Sequence, residues 1–301
     1  EGTNVLKRKH LKKGKVSLVS GGGSGHEPAH AGFVGEGMLD AAVCGEVFTS
    51  PTPDQILEAI KAVDTGAGVL LIIKNYSGDV MNFEMAQELA EMEGIEVESI
   101  IIDDDIAVSK DDTAGRRGVA GTIMMHKILG AMAEEGASLK EMKTYAEKIR
   151  PRIKTLGLAL SGATVPEVGK PGFVLEDDEI EYGVGIHGEP GYRKEKLQPS
   201  SILAKELISQ LRQEMNWQTG DEYGVFVNGL GNTPKMELYV FMRDVLLLLD
   251  QEGLNVSYHL VEEYMTAIDM AGVSLTLMHM DDKMKNYLKA ASYTAAWKER
   301  L

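Results

Sequence analysis

Three short strings in the 301-residue chain carry side chains able to do chemistry. Gly21-Gly-Gly-Ser-Gly-His26 sets an imidazole at the end of a glycine run, where small residues allow positive φ and close backbone approach to a ligand. Such loops present backbone N–H groups to oxygen atoms. Lys74-Asn-Tyr-Ser-Gly-Asp79 places a cation and a carboxylate five positions apart. On a curled loop both reach one small ligand, Lys74 as donor to a hydroxyl or carbonyl oxygen and Asp79 as acceptor or general base. Gly185-Ile-His-Gly-Glu-Pro-Gly191 exposes His187 at the tip of a tight loop. A neutral imidazole is a nucleophile as well as a base, and its addition to a carbonyl gives a hemiaminal.

Each string has a plainer account. A tight turn with a surface histidine covers 21–26, an ordinary turn whose charges meet water covers 74–79, and a hydrogen-bonding or metal-ligating role is the commoner one for a histidine such as His187. The nucleotide motifs fail: His26 stands where GxxxxGK[ST] needs Lys, and His26 and Pro28 break GxGxxG. A small oxygenated ligand fits the first loop better than a dinucleotide. His26 and His30 have i, i+4 spacing, but Pro28 between them disrupts a regular helix, and no metal is expected on this chain. Asp103-Asp-Asp105 would suit Mg²⁺ in a phosphoryl-transfer enzyme, yet no phosphate-cradling Lys follows, and a structural or solvated turn accounts for it equally well. Cys44 reads as a small buried hydrophobe.

These strings need a scaffold, and composition bounds it. The chain is long enough for two α/β units of ordinary size with a real core. A single Cys excludes an intramolecular disulfide and any CxxC metal site. The 31 Lys and Arg against 46 Asp and Glu leave a net charge of −15, which argues against nucleic acid or an anionic membrane as partner. No stretch reaches the roughly 20 apolar residues of a membrane span and no signal-peptide pattern opens the chain, so a cytoplasmic protein is expected. The 33 glycines are in excess and clustered, which points to local backbone chemistry.

From Lys15 to about Arg150 short apolar runs alternate with helical periodicity. Strand-like Lys15–Ser20 leads into the first glycine loop, and Pro53–Val63 sets Ile56, Leu57, Ile60 and Val63 on one helical face. Val69–Ile73 is a continuous apolar run of the buried parallel type, followed by the 74–79 turn, a helix over 82–92 and a third run, Ser99–Ile102. Strand, loop, helix, repeated, implies a parallel sheet with functional loops at the carboxyl ends of its strands. Arg150-Pro151 is the best boundary, dividing the chain into 1–150 and 151–301. The second part repeats the α/β pattern with strand-like runs at 155–160, 223–227, 256–260 and 274–280 and helices over 202–215 and 235–252.

Taken together, Ser20-Gly-Gly-Gly-Ser-Gly-His-Glu-Pro28, Phe48-Thr-Ser-Pro-Thr-Pro53, Ile73-Lys-Asn-Tyr-Ser-Gly-Asp79, Asp103-Asp-Asp-Ile-Ala107, Gly115-Arg-Arg-Gly-Val119 and Gly183-Val-Gly-Ile-His-Gly-Glu-Pro-Gly191 closely resemble the dihydroxyacetone kinase family, specifically its dihydroxyacetone-binding subunit, DhaK. The resemblance runs from about Lys15 nearly to the C-terminus. It implies two α/β domains with largely parallel or mixed sheets, a substrate pocket between them, and a homodimer. In that family the histidine matching His187 adds covalently to C2 of dihydroxyacetone. The residues matching His26 and Asp79 hydrogen-bond the substrate and act in acid/base steps, and those matching Gly23, Ser24, Gly25, Ser50 and Lys74 complete the pocket.

ATP-dependent members carry a fused nucleotide-binding domain, for which 301 residues leave no room. The resemblance therefore implies a phosphotransferase-system-dependent kinase subunit with no cofactor of its own, its ADP or ATP with Mg²⁺ held on a separate DhaL-type subunit that a phosphotransferase-system protein rephosphorylates. The family also contains paralogues that capture dihydroxyacetone and serve as transcriptional coactivators. Both activities are open at this point.

Overall fold

The computed structural model describes residues 4–299. In chain order it begins with strands β1 (Val5–Lys7), β2 (Ser17–Ser24) and β3 (Ala41–Val47), helix α1 (Pro53–Val63), β4 (Val69–Lys74), α2 (Ser77–Met92) and β5 (Val97–Ile102). Helices α3 (Gly121–Glu134) and α4 (Leu139–Ile149) follow. Next come β6 (Ile153–Ala159), β7 (Glu179–Tyr182), β8 (Arg193–Lys196), α5 (Ser200–Met215), β9 (Glu222–Gly229), α6 (Lys235–Gln251), β10 (Asn255–Glu262) and β11 (Gly272–His279). Helix α7 (Asp282–Lys289) and the two-residue strands β12 (Ser292–Tyr293) and β13 (Lys298–Glu299) close it.

The chain divides into two units, one of 1–103, 122–151 and 286–301, the other of 104–121 and 152–285. Neither is the continuous stretch expected from 1–150 and 151–301. Segment 104–121 joins the second unit because Asp104 accepts the Thr155 hydroxyl at 2.5 Å and Asp105 bridges to Thr155 in parallel. The C-terminal segment joins the first because Tyr293 pairs with Glu36, and the buried Lys127 ammonium donates to the carbonyls of Tyr287 and Ala290 at 2.8 and 2.6 Å.

The first unit is built on a five-stranded sheet of order β1-β3-β2-β4-β5, parallel except for β1 at the edge. Val69, Leu71 and Ile73 face a core shared with Ile56, Ala59 and Ile60 of α1 and Phe83, Ala86 and Ala90 of α2. Their alternates Leu70 and Ile72 are also fully buried, so both faces of β4 are covered, as its unbroken apolar run requires. Each fully buried Ile or Leu contributes about 1.5–3 kcal/mol of transfer free energy. The start of α1 is set by a capping box, Gln55 accepting the Thr52 N–H at 3.1 Å, with Pro53 in the first turn.

The second unit has a six-stranded mixed sheet, β10-β9-β11-β6-β7-β8, in which only β9 and β10 run parallel. Leu203, Leu207 and Leu211 of α5 and Leu238, Phe241 and Val245 of α6 pack with Leu156, Leu158, Val225, Leu275 and Leu277 of the sheet. The α/β class and the two sheets, parallel-dominated and mixed, agree with the sequence reading.

Two local expectations change. The glycines after Ser20 do not leave the strand: β2 runs on to Ser24, pairing Gly21 with Val43, Gly22 with Cys44 and Gly23 with Gly45. The helix expected over 82–92 begins at Ser77, so Asp79 stands in its first turn, where a carboxylate is favoured by the helix dipole.

Candidate functional site

In the first unit, the functional strings lie at the carboxyl ends of β2, β3 and β4, where a parallel sheet places its ligand-facing loops. Lys74, the last residue of β4, is fully buried. Its ammonium donates to Asp79 Oδ2 at 2.8 Å and to the Gly21 carbonyl at 3.1 Å. The other Asp79 oxygen accepts the Ser50 hydroxyl at 2.5 Å. Asp79 is only 3% exposed, and burying a carboxylate so deep is costly unless it is paired and hydrogen-bonded, as it is here by this cation and this hydroxyl.

Glycine is required around this cluster for two different reasons. A Cβ at Gly22 would lie 2.3 Å from Lys74 Nζ, and one at Gly78 would lie 2.8 Å from Ser50 Oγ. A Cβ at Gly21 or Gly23 would instead strike backbone: the Val43 carbonyl at 2.4 Å or the Thr49 nitrogen at 2.5 Å. The first pair makes room for the polar side chains; the second lets neighbouring backbone close in.

Beyond β2, Ser24 Oγ donates to the Gly45 carbonyl at 2.6 Å and the Gly25 N–H to Glu27 Oε2 at 3.0 Å, shaping the turn into His26. His26 is fully buried, its ring stacked on Phe48 at 5.1 Å between centroids. Phe48 holds φ at +54°, a left-handed conformation that an aromatic residue rarely adopts. His30 and His126 form a second buried group, His30 Nδ1 lying 2.8 Å from His126 Nε2. Burial and then the Lys74 charge hold His30 well below the usual histidine range; the same two causes hold His126 at about 3. Both imidazoles are neutral. Sequence spacing pairs His30 with His26, but its actual partner comes from α3, 96 residues away. Among the described residues no group of three or more His, Cys, Asp or Glu could hold a metal ion.

In the second unit, the loop between β7 and β8 carries His187. Gly183 and Gly188 take φ of +79° and +81°, and Gly185 N–H bonds the Glu189 carbonyl at 3.0 Å, so the chain curls tightly around the histidine. Glu189 grips His187 twice: Oε1 lies 2.9 Å from ring Nδ1, and Oε2 accepts the His187 backbone N–H at 2.9 Å. Burial pushes the Glu189 carboxyl up, but the hydrogen bonds and charge of His187 outweigh it and hold the carboxyl at about 2. An ionised Glu189 accepts only, so in the neutral form of the ring the proton belongs on Nδ1 and the lone pair on Nε2. The His187 side chain is 21% exposed, within reach of a ligand.

The acidic string at 103–105 divides. Asp104 is buried, accepting the Val119 and Gly121 N–H groups at 2.8 Å each together with Thr155. Asp105 accepts Arg117 Nε at 2.8 Å, and burial pushes its carboxyl up to about 6 against the opposing pull of Arg117. These two are scaffold, not a solvated turn. Cys44 is half-buried rather than buried, its thiol pushed up by that partial burial.

Of the residues singled out from sequence, Lys74, Asp79 and Ser50 are joined by direct hydrogen bonds against the Gly21–Gly22 backbone, while Gly23 and Ser24 end the adjoining strand and Gly25 and His26 form the turn that follows it. The Dak1 domain model matches residues 1–296. The chain belongs to the dihydroxyacetone kinase (Dak1) family. Within it, the chain is 63% identical over 295 residues, 97% of its length and 89% of the relative's, to the PTS-dependent dihydroxyacetone kinase, dihydroxyacetone-binding subunit DhaK, of Lactococcus lactis subsp. lactis. A solved structure of the dihydroxyacetone kinase operon co-activator DhaQ superposes with a TM-score of 0.95 at 46% identity, covering 99% of this chain and 93% of that one. The dihydroxyacetone kinase of C. freundii superposes with a TM-score of 0.89 at 38% identity, over 98% of this chain and 54% of that longer one.

Glu189, Arg117 and His126 drew no role from sequence reasoning. The spacing His187-Gly-Glu189 was the available signal for the first: a carboxylate two residues on, across a glycine, can turn back to the ring. No local signal marks His126, which sits within an apolar helix.

Proposed function

We propose that this chain is the substrate-binding subunit of a phosphotransferase-system-dependent dihydroxyacetone kinase. The grip of Glu189 on His187 Nδ1 is the observation that carries the reading, and the 63% identity to a subunit of that name supports it. His187 Nε2 attacks C2 of dihydroxyacetone, the carbonyl π pair moves to oxygen, and that oxygen takes up a proton from solvent, giving a hemiaminal with no loss of water on a ring that keeps Nδ1–H and so carries a positive charge. The positive charge that develops on the ring is offset by Glu189. Covalent capture selects short ketones and aldehydes over glycerol, which has no carbonyl to attack.

The captured triose keeps a terminal hydroxyl as phosphoryl acceptor. Asp79, assisted by His26, takes its proton as oxygen attacks phosphorus, and the product is dihydroxyacetone phosphate. Lys74, Ser50, Gly23, Ser24 and Gly25 shape the polar end of the site. A DhaL-type partner subunit would hold the nucleotide with Mg²⁺: its ATP would supply the phosphoryl group, and the ADP left behind would be rephosphorylated there by a phosphotransferase-system donor. On this reading the protein is a cytoplasmic homodimer. Among the described residues, no helix is long and apolar enough to cross a membrane.

The likeness to the DhaQ co-activator supports a second reading, in which the chain captures dihydroxyacetone and acts on transcription without phosphorylating it. Mixing the protein with a loaded DhaL-type subunit, a phosphoryl relay and dihydroxyacetone separates the two. Triose phosphate is expected; its absence with a demonstrably loaded partner favours the co-activator.

A further inference from the structure

The His187 loop is held from behind by a charged pair that the capture chemistry does not itself use. Asp105, 3% exposed, accepts Arg117 through Oδ2 from Nε at 2.8 Å and Nη2 at 2.7 Å, while its Oδ1 accepts the Ala107 N–H at 2.9 Å. The two residues are also joined along the backbone, the Asp105 N–H donating to the Arg117 carbonyl at 3.1 Å. Locked in this way, the guanidinium has little rotamer freedom left to lose, and it donates from Nη2 to the Gly183 carbonyl at 2.8 Å, where the His187 loop leaves β7. Its other terminal nitrogen points along the loop. A Cβ built on Gly185 would lie 2.5 Å from Arg117 Nη1 and 2.1 Å from Glu189 Oε2, so guanidinium and carboxylate border the same small space over the Gly185 backbone.

We propose that Arg117, fixed by Asp105, is a positioning residue for His187: it holds the Gly183–Glu189 turn and the Glu189 carboxylate in place, and thereby the Nδ1–H tautomer that puts the nucleophilic lone pair on Nε2. The inference deepens the reading of His187 as the capturing nucleophile and rests on it for its consequence, though not for its geometry. Arg117 reaches three groups at once, Asp105, Gly183 and the neighbourhood of Glu189, because its planar fork offers donors in fixed directions. A lysine at the same position offers one point charge and meets only one of those demands. Removing the fork frees the turn, and a reacting atom displaced by about 1 Å loses on the order of 100-fold in rate.

The test uses the full chain as Arg117→Lys and Arg117→Gln, with Asp105→Asn as an independent way of loosening the same guanidinium. Nitrogen-15 spectra of the His187 ring are recorded without ligand, and the rate of adduct formation with dihydroxyacetone is followed by intact mass. The wild type is expected to show Nδ1–H, Nε2 unprotonated. Arg117→Gln and Asp105→Asn are expected to give mixed tautomers and capture slowed by at least tenfold, with Arg117→Lys between them and wild type. A purely structural role predicts lowered melting temperatures with the ring signature and capture rate of the surviving folded protein unchanged; that outcome, in whichever of the three variants folds, overturns the proposal. A wild-type ring that depends on Arg117 yet forms no adduct would leave the positioning role standing and sink the capture reading instead.

Discussion

Glu189 holds His187 by both carboxylate oxygens, one at 2.9 Å from ring Nδ1 and the other at 2.9 Å from the backbone nitrogen. A carboxylate that accepts from backbone and ring of the same residue fixes side-chain rotation and tautomer together. Glu189→Gln keeps an acceptor for Nδ1–H but loses the charge that offsets the imidazolium-like adduct. Capture of dihydroxyacetone is expected to slow by about 10–100-fold with the fold retained, measured as adduct formation by intact mass. Unchanged capture in Glu189→Gln would mean that the carboxylate does not act on the ring.

The Lys74–Asp79–Ser50 cluster separates stability from activity. Asp79→Asn leaves the buried Lys74 ammonium without its counterion and is expected to cost about 3–5 kcal/mol in a denaturant titration. Replacing both partners, as Lys74→Met with Asp79→Leu, is expected to recover most of that stability while phosphoryl transfer stays lost. Recovery of activity in the double variant would refute the acid/base assignment of Asp79.

Glycines bordering the cluster are expected to fail differently. In Gly78→Ala the new methyl meets the Ser50 hydroxyl, a side chain that can rotate away, so the chain folds but the hydrogen bond from Ser50 to Asp79 is displaced and ligand binding weakens. In Gly21→Ala it meets the Val43 carbonyl, which belongs to the sheet, and the cost of roughly 1–3 kcal/mol falls on the fold. Melting temperature and dihydroxyacetone binding, measured on both variants, are expected to move in opposite order.

The buried imidazoles make stability depend on pH. His30 and His126 lie below the ordinary value of 6.5 when folded, His126 at about 3, so on acidification the unfolded chain takes up protons first. Their contribution is complete above about pH 6.5 and declines as pH falls toward 3, by up to about 1.4 kcal/mol per pH unit for each ring. His126→Phe is expected to flatten the acid limb of a plot of unfolding free energy against pH. A limb of unchanged slope would show that the pair does not titrate in this way.

Much of the fold was legible because its signals are local. The unbroken apolar run at 69–73 can be satisfied only where both sheet faces are covered, and the 3.6-residue spacing of Ile56, Ile60 and Val63 admits only a helix. The glycine string misled because glycine usually marks a turn; in β2 it marks a strand whose neighbours approach too closely for a Cβ, a property of the pairing with β3 and not of the string. The turn reading of 74–79 leaves Asp79 outside α2, because Gly78 gives no helical signal; in the structure a Cβ at that position would meet the Ser50 hydroxyl. The His30–His126 pair and the Asp105–Arg117 hold on Gly183 join residues distant in the chain, and no periodicity within either segment announces them.

The central claim is that His187 Nε2 captures the ketone. Incubating the protein with dihydroxyacetone labelled with carbon-13 at C2, and following that carbon by NMR alongside intact mass, tests it most directly. The account expects the carbonyl resonance to be replaced by that of a saturated carbon bearing nitrogen and oxygen, with the full mass of the triose added and no water lost, and expects both signals to vanish in His187→Ala. Bound dihydroxyacetone that keeps its carbonyl resonance, or binds His187→Ala with full affinity, would contradict it.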